Sequence, residues 1–153
     1  MLPPWTGFQG KTFWDWLQIL VIPLALAIGA FYIDIAASYI QSDRQQEESM
    51  KSYFLEISDL LLEKQLRHAE KESEVRSIAR VMTLTTLRKL NGARKGFILL
   101  FLSELNLITR DDPIVSLSGA NLYRADLTGL DLANTDLQNV YLSEAKFAYT
   151  NLE

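Results

Sequence analysis

Residues 119–138 read GANLYRADLTGLDLANTDLQ, with a leucine at every fifth position: Leu122, Leu127, Leu132 and Leu137. A period of five matches neither the 3.6 of a helix nor the 2 of a strand. The register extends in both directions through Leu117, Leu122, Leu127, Leu132, Leu137, Leu142, Phe147 and Leu152, all large and apolar. Two residues before each stands Val115, Ala120, Ala125, Leu130, Thr135, Val140, Ala145 or Thr150, mostly small or β-branched. Both columns read as inward positions. The column between them is Ser116, Asn121, Asp126, Asp131, Asp136, Tyr141, Lys146 and Asn151, rich in side chains that bond to turning backbone, and it reads as the face toward water. A five-residue unit with two inward side chains cannot bury an apolar face alone, so the units are expected to stack as a solenoid.

The A(D/N)LXX pattern of residues 115–153 resembles the pentapeptide-repeat proteins. The resemblance implies a short right-handed quadrilateral β-helix, with four pentads to a coil, about two coils in all, and the Leu/Phe column inside. Residues twenty apart are then expected to lie one above the other at about 4.8 Å, the spacing of paired strands. Arg124 falls over Glu144 and Asp126 over Lys146 in that register.

The run LQILVIPLALAIGAFYI, residues 17–33, carries no charge and continues past Asp34 into IAASYI. That is long enough for a bilayer core, which needs about 20 helical residues. Trp14, Trp16, Tyr32 and Tyr39 stand where an interfacial aromatic belt falls. Asp15 and the tryptophans replace the basic start of a signal peptide, so the sequence predicts a retained single-pass anchor over 14–40, after an N-terminal tail at 1–13. Asp34 is read either as a headgroup-level residue or as an intramembrane partner contact. Only Lys11 precedes the span, whereas Arg44, Lys51 and a basic segment follow it, which orients the body toward the cytoplasm.

Residues 41–110 read as a juxtamembrane segment of about three helices. Met50, Tyr53, Phe54, Ile57, Leu60 and Leu61 share one helical face. Ser73 is the expected N-cap of a second helix ending at Asn91-Gly92, and a third runs from about Ala93 to Leu107 through FILLFL, expected to be buried. This segment is expected to cover the open end of the repeats at 111–153. The order of W-D-W-L at the start of the span, an EVR-x-x-AR segment at 74–80 and the repeats also resembles bacterial, cyanobacteria-like membrane-anchored pentapeptide-repeat proteins. The chain stops in mid-repeat at Asn151-Leu152-Glu153, which leaves truncation or a covering partner as the two readings.

Residues 64–95 carry nine Lys/Arg against three acids, whereas 111–153 carry two against seven. Arg76, Arg80, Arg88, Lys89, Arg94 and Lys95 read either as a solvated face or as contacts to lipid headgroups or an acidic partner. No aromatic interleaving accompanies them, so nucleic acid is not an expected partner. There is no cysteine, and His68, the one histidine, sits in a charged surface stretch. Without grouped ligands or a triad, neither a metal, a cofactor nor an enzymatic activity is expected. NGARKG lacks the spacing of a phosphate loop, and Asp126, Asp131 and Asp136 fall on successive sides of the winding instead of converging.

The function expected is a non-enzymatic membrane scaffold or accessory subunit, docking on membrane proteins of a larger complex in a bacterial inner membrane or, by resemblance, a thylakoid. A homo-oligomer is compatible with it. The alternative is a regulatory inhibitor that binds a soluble target through the acidic repeats.

Overall fold

A computed structural model describes residues 13–152 of the chain. The expected tail at 1–12, with Lys11, and the side chains of Trp14 and Trp16 lie outside what it describes. Among the described residues there are three α-helices, α1 at Phe13–Leu62, α2 at Glu74–Lys89 and α3 at Gly92–Glu104, with a short 3-10 turn at Leu66–His68 between the first two. The chain divides into two compact units, one ending at Asp43 and one comprising Arg44–Glu153.

In the first unit, α1 carries Pro23 and a run of exposed apolar side chains, Leu24, Leu26, Ile28, Phe31, Ile33 and Ile35 among them. An 18-residue window in its Pro23–Leu62 stretch has a mean hydropathy of 1.6, and the helix is long and apolar enough to cross a membrane. Ser38 Oγ donates to the Ile35 carbonyl at 2.7 Å, which satisfies the hydroxyl within the helix's own turn.

In the second unit, the caps define the helices. Ser73 Oγ accepts from the Arg76 N–H and Asn91 Oδ1 from the Arg94 N–H, each binding an otherwise orphan donor of a first turn. Ala79, Thr83 and Leu87 on α2 and Ile98, Leu99 and Leu102 on α3 recur at helical spacing and are buried. The apolar ones share a core with Tyr53 and Ile57 of α1 and with Val115, Leu117, Ala120, Leu122, Ala125, Leu127 and Leu132 of the repeats. Tyr53 hydroxyl lies 3.0 Å from Thr83 Oγ1; since Thr83 donates its own proton to the Ala79 carbonyl, Tyr53 is the donor. FILLFL is not buried throughout: Phe97 is 59% exposed while Ile98 and Leu99 are fully enclosed.

The expected β-helix is corrected by the repeats themselves. Among the described residues there is no β-strand, and residues 111–152 form turns joined by isolated bridges. The physical reason is a left-handed residue every five positions: Gly119, Arg124, Gly129, Asn134, Asn139, Glu144 and Tyr149 all have positive φ. Each closes a tight turn, as where the Ala125 N–H reaches the Leu122 carbonyl at 2.9 Å and Leu130 reaches Leu127 at 3.1 Å. The extended stretch left between turns is too short for the consecutive pairs that define a strand ladder. The quadrilateral β-helical solenoid is therefore absent as such, and what the helices pack against is a strand-free winding.

The winding nevertheless keeps a register of twenty. Parallel bridges join Asn121 to Tyr141, Asp126 to Lys146 and Asp131 to Asn151. Leu122, Leu127 and Leu132 donate their N–H groups to the carbonyls of Tyr141, Lys146 and Asn151, each at 2.9 Å. An antiparallel bridge from Thr109 to Thr135 ties the segment before the repeats to the second turn of the winding.

Candidate functional site

Four residues of the polar column hold turns. Asn121, Asp126, Asp131 and Asp136 each accept, through Oδ1, the N–H two residues on, at 3.0 to 3.2 Å. These Asx turns point the carboxylates along successive sides, and no two converge on one bond. The Thr128 hydroxyl and then its backbone N–H hold the Asp126 carboxyl below the usual carboxylate range. Among the described residues no group of three or more His, Cys, Asp or Glu is placed to hold a metal ion. His68 is exposed.

Between the windings, Arg124 Nε donates to Glu144 Oε2 at 2.7 Å while Tyr123 hydroxyl reaches Glu144 Oε1 at 3.0 Å. The Arg124 guanidinium also sits 4.9 Å from the Tyr123 ring centroid. The Arg124 contact, and then that of Tyr123, hold the Glu144 carboxyl below its ordinary value. At the entry to the repeats, Asp112 bonds both Lys71 and Arg76 at 3.3 Å, and the Lys71 ammonium is the main cause of its depressed pKa.

The six cations singled out from the sequence separate into two groups. Arg76 is buried on Asp112, Arg80 donates to the Ser118 carbonyl at 2.8 Å, and Lys95 is buried with its Nζ 2.9 Å from the Tyr123 carbonyl. Burial lowers the Lys95 pKa. Arg80 and Lys95 fasten α2 and α3 to the first winding, and Arg76 ties α2 to the segment just before it. Arg88 and Lys89 are exposed in the last turn of α2, and Arg94 is half-buried in the first turn of α3.

The leucine column also divides. Leu117, Leu122, Leu127 and Leu132 are at most 1% exposed, Leu137 and Leu142 are half-buried, and Phe147 and Leu152 reach 36% and 43%. Each inward side chain of the first winding has neighbours above and below, whereas those of the second have them on one side only. Asp34 is exposed on α1.

One contact that periodicity did not reveal is made by glycine. A Cβ on Gly92 would collide with the Arg124 carbonyl, and one on Gly96 with the Asp126 carbonyl. The two glycines of NGARKG thus let α3 lie directly on the repeat backbone, where the Asp126 N–H donates to the Gly92 carbonyl at 2.9 Å. Their spacing of four, one helical turn, was the available signal.

The family model for pentapeptide repeats matches residues 120–153 in eight copies. The match covers 34 of the 153 residues, so it describes the repeat sequence and not the chain as a whole. The strand-free winding also overturns the wider resemblance to a β-helical pentapeptide protein: the sequence pattern is present without the strands that define that fold. No curated protein and no solved structure matches the chain.

Proposed function

We propose that the chain is a membrane-associated, non-enzymatic scaffold or accessory subunit whose helical and repeat body docks on other membrane proteins at a bilayer surface. The observation that carries this reading is the apolar, exposed stretch of α1, whose side chains have the lipid-facing character of a span. The body supplies broad surface and little chemistry: its buried cations and its Asx carboxylates are committed to the fold. In this proposal the chain crosses once with its body on the cytoplasmic side, a reading supported by the cations that follow the apolar stretch. A bacterial inner-membrane complex, or a thylakoid one, is the proposed setting.

The test is purification in mild detergent from the native membrane. A stoichiometric set of integral membrane proteins retained with the chain is the expected result; a chain that leaves the membrane alone and unaccompanied overturns it.

A further inference from the structure

We infer that the groove between α1 and α2 in the second unit is a docking site for a cationic amphipathic helix of a partner protein. The inference concerns Arg44–Glu153 alone and does not depend on whether α1 spans a membrane.

Within that unit the two helices run antiparallel, since Gln46 meets Asn91 and Tyr53 meets Thr83. Two hollows lie between them. Glu48, Ser52 and Glu56 of α1 border one together with Met82, Thr86 and Lys89 of α2. Leu55, Glu56, Asp59 and Leu60 border the other, again with Met82. Because the hollows share Glu56 and Met82, they adjoin as one groove that follows α1 from Gln45 to Leu60, about 22 Å at helical rise. A helix of about four turns matches that length.

The lining is apolar toward Leu60. Leu55 is 65% exposed there, and Ile78, one turn before Met82 on the same flank of α2, is 43% exposed. Exposed apolar side chains that are grouped, not scattered, mark an interaction surface.

Charge selects the occupant. Glu48, Glu56 and Asp59 line the groove against Lys89, and among the described residues none of these three carboxylates is in an ion pair. Charges next to the lining cancel, with Arg44, Lys51, Lys64 and Arg88 against Asp43, Glu47, Glu63 and Glu74. The surplus of negative charge in the lining turns away anionic lipid and acidic segments, and it attracts a helix that carries Lys or Arg beside its apolar face. A merely solvated acidic face would make no demand on Leu55 or Met82, which separates the two.

The test uses the full chain in a nonionic detergent. It is titrated at fixed micelle concentration into a fluorescein-labelled peptide of about 15 residues, with leucines at i, i+3, i+4 and i+7 spacing and lysines elsewhere. Anisotropy is expected to rise and saturate. A peptide with glutamates in place of the lysines, and one of the same composition with the spacing scrambled, should not bind. Glu56→Gln with Asp59→Asn should weaken binding by roughly two- to fivefold per carboxylate, and Leu55→Ala with Met82→Ala by roughly tenfold. The charge-preserving exchange Glu56→Asp with Asp59→Glu should retain binding. Glu70→Gln with Glu72→Gln, an equal charge change at exposed residues outside the groove, should leave it unchanged. A photoactivatable group on the apolar face of the peptide should crosslink to residues 45–60 or 78–89. Equal binding of the acidic peptide, equal loss in the two acid-to-amide variants, no loss in the Leu55 and Met82 variant, crosslinks confined to the repeats, or an anisotropy that micelles alone reproduce overturns the inference. None of these outcomes bears on the membrane reading, which the purification tests separately.

Discussion

Arg124 and Glu144 each hold a left-handed backbone position and also face one another across the windings. Neither residue type favours positive φ, which costs a non-glycine residue about 1 to 2 kcal/mol. Their mutual bond, with Tyr123 as a third member, gives those side chains a reason to be there that glycine does not have. The carboxyls of Glu144, Asp126 and Asp112 are all held below their ordinary values. A depressed carboxylate contributes stability that is present above its unfolded pKa and is lost as the pH falls through its folded one. Urea unfolding of the chain in detergent is therefore expected to become easier below about pH 4.5, and progressively so toward lower pH. Glu144→Gln should lower stability at neutral pH and flatten that acid limb. A limb unchanged by the substitution would show that the Arg124 bond is not linked to folding.

The decisive element contact is α3 on the first winding. Gly96→Ala places a methyl against the Asp126 carbonyl, backbone that cannot step aside, so α3 must lift from the repeats. The expected cost is at least the 1 to 3 kcal/mol typical of overpacking, read as a lower urea midpoint with faster amide exchange at Asp126, whose N–H the Gly92 carbonyl accepts. The sequence made some of this arrangement visible. Ser73 caps α2 as expected, and the five-residue period is present in the chain as in the structure, whereas Asn91, read as the stop of the second helix, also caps α3. The β-helix was not to be had from it: a period of five does not say how many residues of each unit are extended, and the left-handed turns leave too few for a strand. Gly119, Gly129, Asn134 and Asn139 are residue types that accept positive φ, but Arg124, Glu144 and Tyr149 conceal the same position. Likewise a charge run does not say which cations turn inward. Arg80 and Lys95 find carbonyl partners 38 and 28 residues away in sequence, a separation that local pattern does not encode.

For the molecule as a whole, the membrane reading rests on one stretch of α1 and can be tested there. The chain is expected to remain with the bilayer through an alkaline carbonate wash. Leu26→Lys with Ile28→Lys places two charges amid exposed apolar side chains, at a cost of about 2.5 to 3.5 kcal/mol each near a helix centre, and should release a large share into the wash. Retention of the doubly charged variant would mean that the body, and not the span, holds the protein to membranes. The left-handed residue at every fifth position has a last consequence, for how such a chain tolerates change in length. Dropping one amino acid anywhere in 117–150 would move every later residue one step along the cycle, sending leucines to corners and aspartates inward. Removing a whole pentad would keep leucines inward and aspartates outward, so length changes in steps of five leave the inward and outward columns in place.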